Sequence, residues 1–375
     1  MIRLLNVIND YCLYGTYSVT YFATIFYLAS WVPLISKNFN FSPLARFVLP
    51  LLLLIVIGFI CSAINSEYVT GMKEAYNYRT LLLIVLMTFI AAHLYCKPHI
   101  SSSVLNTYVA SMLLVFLLVS LGNGVTYVNG RLLLFGENPN VMGSKAALAF
   151  LITISKLINN FSIKRCIIII AICIPFISLT ATSGSRGALV SMFFGLFVLL
   201  LFRKTGVITK WAIIAFAALV SGMLITYLLQ TNPIMAERFL NTVETGDTGR
   251  NLLWDAAFSI IKDNIFIGSG FEGVKPRMFA YSGFYMKPHN IFLYIFIACG
   301  LPGIILFLIF LTRLAKLLFR YFKKSGDSLN LVLFVIVVFN MSKQGGSIGK
   351  ILFWFFFAVL IGSTVHIMSR NELKK

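Results

Sequence analysis

The residues best equipped for chemistry in this chain are one histidine and three arginines. His289 stands in the seam Lys287-Pro288-His289-Asn290, where a long polar segment meets the apolar run IFLYIFIACGLPGIILFLIFL. A neutral imidazole there can accept a proton from an attacking hydroxyl if its pKa lies near the working pH. Arg186 lies in the tight turn TSGSRGAL (182–189), bracketed by two serines and two glycines. Such a turn can aim backbone N–H groups at the same point as the guanidinium, which suits a phosphate. Arg250 follows TGDTG at the start of a helical pattern, where the helix dipole disfavours a cation unless an anion is meant to sit there. Arg131 lies in the Gly- and Asn-rich stretch LGNGVTYVNGRLLLFGENPN (121–140), read as turns. Two or three guanidiniums can grip a diphosphate bidentately and stabilise its charge as it departs. Each residue also has a plainer role open to it, as an anchor at the headgroup level of a membrane.

A membrane is what the composition demands. The 375 residues are 59% hydrophobic and 11% charged, with a mean hydropathy of +0.90. A soluble domain of this length has no use for so much apolar surface. Continuous apolar runs, without strand-like alternation, predict eleven spanning helices at 17–35, 47–64, 80–95, 103–121, 140–158, 166–182, 187–202, 211–229, 289–311, 329–341 and 350–368. Residues 1–16 are too short and polar for a clear twelfth, and the first apolar run lacks a signal-peptide cleavage site. The expected class is an all-α polytopic membrane protein, one integral membrane domain over 1–375.

The net charge of +19 is spread over short loops and forms no contiguous face, so no nucleic-acid partner is expected. It orients the chain instead. Basic clusters at Lys164–Arg165, Arg203–Lys210, Arg313–Lys324 and Arg370–Lys375 are assigned to the cytoplasm by the positive-inside rule. Segments 65–80, 122–139 and 230–288 then face the other side. In the first, Tyr68, Met72, Ala75 and Tyr76 are expected on one face of an interfacial helix. The 230–288 loop should hold an amphipathic helix that ends at Asn264, with Leu252, Leu253, Ala256, Ala257, Ile260 and Ile261 inward. A Gly-rich turn, IGSGFEGVKPRM, should follow it and carry Glu272 as a solvated charge or a second carboxylate. Six scattered cysteines and four scattered histidines suggest neither a disulfide framework nor a metal site, and no cofactor is expected.

In their order the motifs GRLLLFGENPNVMG (130–143), LTATSGSRGALV (179–190), TGRNLLWDAAFSIIKDNIFIGSGF (248–271) and KPHNIFLYIFIACGLPGIILF (287–307) resemble the O-antigen ligase and polymerase superfamily of bacterial inner-membrane glycosyltransferases. The resemblance covers about 120–311. It implies a GT-C-like bundle, usually of twelve helices, with diphosphate-binding roles for Arg186 and Arg250 and an acceptor-activating or leaving-group role for His289. Arg131, Ser185, Asn290 and Glu272 are the surrounding candidates for substrate binding.

The expected activity is transfer of polysaccharide from undecaprenyl diphosphate to a sugar hydroxyl on the periplasmic face, without metal or nucleotide. The acceptor is lipid A–core in a ligase, or another lipid-linked glycan in a polymerase. The single dominant outer loop favours the ligase. Membrane lipids and a chain-length regulator are the other partners considered. A lipid-linked-glycan flippase is the alternative of another class, but the chain shows no internal repeat and its suggestive charges gather at one face.

Overall fold

The computed structural model describes residues 19–30, 41–159, 162–203, 205–245, 250–344, 346 and 348–372. In chain order the elements are α1 (Val19–Ala29), α2 (Ser42–Ile64), the single turn α3 (Met72–Ala75), α4 (Tyr78–Cys96), α5 (Ser101–Ser120), β1 (Val125–Val128) and β2 (Arg131–Leu134). Next come α6 (Pro139–Asn159), α7 (Ile163–Thr182), α8 (Arg186–Leu201), α9 (Val207–Thr231), α10 (Pro233–Thr245), α11 (Asn251–Asp263) and α12 (Gly270–Ser282). The last three are α13 (Ile291–Ser325), α14 (Leu329–Gln344) and α15 (Ile351–Glu372).

The protein is an all-α polytopic membrane protein. Among the described residues eight helices are long and apolar enough to cross a bilayer: α2, α4, α6, α7, α9, α13 and α15, together with the run Pro98–Ser120 that contains α5. The shorter apolar helices α8 and α14 coincide with two further expected spans. Of the span expected at 17–35, only α1 lies within the described residues.

The chain forms two compact units. One comprises 1–40, 99–240 and 326–336; the other comprises 41–98, 241–325 and 337–375. In the first, α6 packs along α7 and α8, and its face from Ala146 to Ile152 is almost wholly buried. Close approach is possible there because the helices meet at glycines. A side chain at Gly195 would overlap Leu151, and one at Gly143 would overlap Ser183 and Ala188. The 121–140 stretch is more ordered than turns alone. β1 and β2 pair antiparallel, with Val128 opposite Arg131, around Asn129-Gly130 at φ +48° and +68°. Positive φ at both central residues is what a two-residue hairpin loop requires, and Asn-Gly supplies it at little cost.

In the second unit α13 packs on α2, and α4 on α15. The apolar run after His289 is not an unbroken helix. Gly300 sits at φ +63°, ψ −166°, and Pro302 two residues later has no N–H to give Ala298. The turn after α11 fills the break. Leu301 N–H donates to the Ile265 carbonyl at 2.8 Å, while the Ile297 carbonyl accepts from Ser269 N at 2.8 Å and Ser269 Oγ at 3.1 Å. Backbone touches backbone here: a Cβ at Gly300 would lie 2.3 Å from Phe266 O, and one at Gly268 would lie 2.3 Å from the Ala298 carbonyl.

Two other expectations need correction. The expected helix through 65–79 is broken at Thr70–Gly71 into a 3-10 turn, Ser66–Tyr68, and α3; Ala75 is buried but Met72 is exposed. The expected Gly-rich turn over 267–278 stops at Ser269, and α12 begins at Gly270. Phe271, Val274 and Met278 form its buried stripe, an i, i+3, i+7 pattern hidden beneath the glycines and Pro276. The amphipathic helix ending at Asn264 is present as α11, burying Leu253, Ala256, Ala257 and Ile260, while Leu252 points outward.

Replacing Gly300 with alanine should destabilise the protein by about 1–3 kcal/mol, since a positive φ and a backbone overlap must both be accommodated. Its apparent melting temperature in detergent should fall by several degrees. Gly222→Ala, which meets open space on α9, should leave it unchanged; equal melting of both variants would contradict the seam at Gly300.

Candidate functional site

The expected site residues fall in two places, one in each unit. In the first unit they surround the turn between α7 and α8. Gly184, at φ +58°, reverses the chain, and Ser185 caps α8 by accepting Ala188 N–H at 3.3 Å. Ser183 and Ser185 are both buried. The hydroxyl of Ser185 is therefore engaged in holding the turn. Arg131, the first residue of β2, reaches the turn with Nε donating to the Ser183 carbonyl at 3.0 Å, and Nη2 donates to Asn140 Oδ1 at 2.7 Å. Arg186 donates from Nη1 to the main-chain carbonyl of Arg238 on α10. Arg238 completes the loop by donating to the Gly184 carbonyl at 2.6 Å. Asn232 fixes α10 here by donating to the Ala181 carbonyl and capping Met235 N–H.

Three guanidiniums thus gather at one turn, each bonded to a main-chain carbonyl. Among the described residues neither Arg131 nor Arg186 meets a carboxylate; Glu137, six residues after Arg131, pairs with Lys145 instead. Burial, together with repulsion from Arg238 and Arg186, pushes the Arg131 pKa down to about 10. Like charge gathered in this way favours an anion. Arg238 was missed in the sequence, where it stands in PIMAERFLN with no glycine or motif beside it. Only the path of α10 brings it to the turn.

In the second unit His289 sits between α11 and the connection from α14 to α15. Trp254 of α11 donates Nε1–H to the Pro288 carbonyl at 3.1 Å, so the residue before His289 is pinned. His289 itself holds φ +55°, a left-handed conformation uncommon for a side-chain-bearing residue. No described residue hydrogen-bonds its half-buried imidazole. Asn290 is committed to structure: its Oδ1 caps α13, accepting from Phe292 N at 2.9 Å and Leu293 N at 3.3 Å. Arg250 stands just before the first turn of α11 and donates Nη1–H to the Lys343 carbonyl. Burial lowers the His289 pKa first, and the charges of Arg250 and Lys350 lower it further. The structure thus brings Arg250 and His289 into one electrostatic neighbourhood and adds Lys350, which lies outside every motif that carried the resemblance.

Glu272 belongs elsewhere in this unit. Its Oε2 accepts from Thr70 N and Thr70 Oγ1, both at 2.8 Å, tying α12 to the segment after α2. Lys287 lies over the Tyr294 ring, 5.2 Å from its centroid, and burial with the charges of Lys275 and Arg79 lowers its pKa.

The arrangement around His289 keeps the imidazole neutral below the usual histidine range. Diethylpyrocarbonate, which modifies only neutral imidazole, should label His289 half-maximally below pH 6.5, the ordinary histidine value. In Lys350→Gln the midpoint should rise, because a repelling charge is gone. Mass spectrometry of the His289 peptide across pH reads both, and a midpoint unmoved by Lys350→Gln would contradict the coupling.

Against known proteins, no curated protein matches the chain. A family model described as O-Antigen ligase matches residues 170–308. That interval contains Arg186, Arg238, Arg250 and His289, and stops short of Arg131 and Lys350. Through residues 170–308 this multi-pass membrane protein matches the O-antigen ligase superfamily that its motifs resemble.

Proposed function

We propose that the protein transfers polysaccharide from undecaprenyl diphosphate to a sugar hydroxyl on the periplasmic face of the inner membrane, with lipid A–core as acceptor. The O-antigen ligase match supports a membrane glycosyltransferase of the ligase or polymerase type. The observation that carries the finer reading is the gathering of Arg131, Arg186 and Arg238 on the α7–α8 turn. Cations placed at a developing diphosphate leaving group lower the barrier because they need no reorganisation as the charge appears.

In this reading Arg186 and Arg250 keep the diphosphate-binding roles that the resemblance implies, Arg131 and Arg238 reinforce the field at Arg186, and no metal is required. His289 takes the proton of the acceptor hydroxyl as the new glycosidic bond forms and the bond from the anomeric carbon to the diphosphate oxygen breaks. Undecaprenyl diphosphate is the leaving group. Burial first, and then the charges of Arg250 and Lys350, disfavour an imidazolium at His289, which favours the unprotonated base before the reaction and release of the proton afterwards. Ser185 and Asn290 contribute by capping the helices that carry Arg186 and the end of the His289 seam.

Chain alternation supports the sidedness. With each described span crossing once, α8 and α14 included, the described residues of 121–138, 183–185, 232–290 and 345–350 fall opposite the basic clusters at Lys164–Arg165, Arg203–Lys210 and Arg313–Lys324.

His289→Ala should lose about 10²–10⁴-fold in turnover while donor binding is retained, the range expected for a general base. Arg238→Ala should instead weaken donor binding, and Arg238→Lys should rescue it only in part because a lysine cannot match the guanidinium's fork. Unchanged turnover in His289→Ala would remove the base from the mechanism.

A further inference from the structure

The segment between α11 and α12 carries three consecutive large apolar residues that no described residue covers. Ile265, Phe266 and Ile267 are 42%, 71% and 51% exposed. In a loop surrounded by water, an uncovered run of this kind would be a liability for aggregation.

Its depth can be read from α2, which packs on both α12 and α13 in the same unit. Cβ positions built on glycines set the levels. Gly303 of α13 meets Leu54, Gly58 meets Cys299 and the Phe271 ring, and Gly270 meets Ser62. Leu301, whose N–H bonds the Ile265 carbonyl, lies between the first two levels. Counting back from Ile64 at about 1.5 Å per residue, Gly58 and Leu54 lie roughly 9 and 15 Å along α2 from its end. The Ile265–Phe266 backbone therefore sits about that far in, comparable to half of a hydrocarbon core of about 30 Å.

Irregular backbone at such depth must have its polar groups satisfied by protein. Here the Ile265 carbonyl accepts from Leu301 N, the Gly268 carbonyl accepts from Asn65 Nδ2 at 3.1 Å, Ser269 N donates to Ile297, and Phe271 N donates to Ser62 Oγ at 3.2 Å. The bonded polar groups turn inward and three apolar side chains are exposed. That is the pattern of a lipid-facing element.

We propose that residues 264–269 form a re-entrant turn whose Ile265, Phe266 and Ile267 side chains contact the acyl chains of the bilayer leaflet nearest the Ile64 end of α2. The segment 230–288 is then an aqueous loop only in part, and its α11–α12 turn is fastened within the membrane. This placement stands on packing alone and is independent of the transferase reading.

A nitroxide label tests it in the full-length protein in nanodiscs. Phe266→Cys is introduced alongside Cys96→Ser and Cys166→Ser, with Glu67→Cys as the aqueous control and the protein lacking both introduced cysteines as background. The label at 266 should relax readily with oxygen, which concentrates in acyl chains, and should be shielded from the water-soluble complex Ni-EDDA. The label at 67 should show the reverse. Ile267→Cys repeats the measurement should Phe266→Cys fold poorly. Ni-EDDA access at 266 and 267 equal to that at 67 would overturn the proposal, and so would shielding from both reagents.

Discussion

The exchange of backbone hydrogen bonds at the α13 break is the constraint on which the second unit depends. In an intact helix Leu301 N–H would bond the Ile297 carbonyl. Here Leu301 gives its proton to Ile265, Ser269 supplies Ile297, and the two sides stay satisfied although the helix is interrupted. Only glycines at 268 and 300 allow main chains so close. The consequence reaches the site. With the turn fastened to α13, α11 must end and α12 must begin at fixed points, and α11 carries the Trp254 indole that pins Pro288 and follows directly on Arg250. The left-handed φ of His289 is held between that pin and the Asn290 cap of α13.

The first unit solves a different problem, that of keeping three like charges together. Its answer is a set of main-chain carbonyls pointed at guanidiniums: Ser183 and Gly184 of the turn towards Arg131 and Arg238, and Arg238 of α10 towards Arg186. Neutral acceptors orient a guanidinium without cancelling its charge. In both units, then, the groups with chemical capacity are positioned by backbone carbonyls and helix caps, and Ser185 and Asn290 supply two of those caps.

How much of this the sequence carried depends on whether the signal was local. The spanning helices were legible because each is a continuous apolar run, and α11 because its period is written in Leu253, Ala256, Ala257 and Ile260. The tight turn at 183–185 was legible from its small residues. What escaped depended on partners distant in sequence. Arg238 carries no motif and matters only because α10 returns to the α7–α8 turn. Lys350 acts on His289 from beyond α14. The break at Gly300 was masked by the apolar residues on either side, although Gly300 and Pro302 marked it, and α12 was masked by Gly270, Gly273 and Pro276, which together resembled a turn. The β1–β2 hairpin was announced by Asn129-Gly130 and overlooked because the whole stretch was rich in turn residues.

The central claim is that guanidiniums in this fold support transfer of a glycan from a lipid diphosphate. Its most direct test is a reconstituted reaction of the purified protein with undecaprenyl-diphosphate-linked polysaccharide and rough lipopolysaccharide as the only acceptor, with Arg186→Ala and Arg250→Ala run alongside. The account predicts polysaccharide transferred to the lipopolysaccharide by the unaltered protein and lost in both variants. Growth of the lipid-linked chains themselves would replace the ligase with a polymerase using the same residues, and transfer that survives both substitutions, or no transfer of either kind, would contradict the claim.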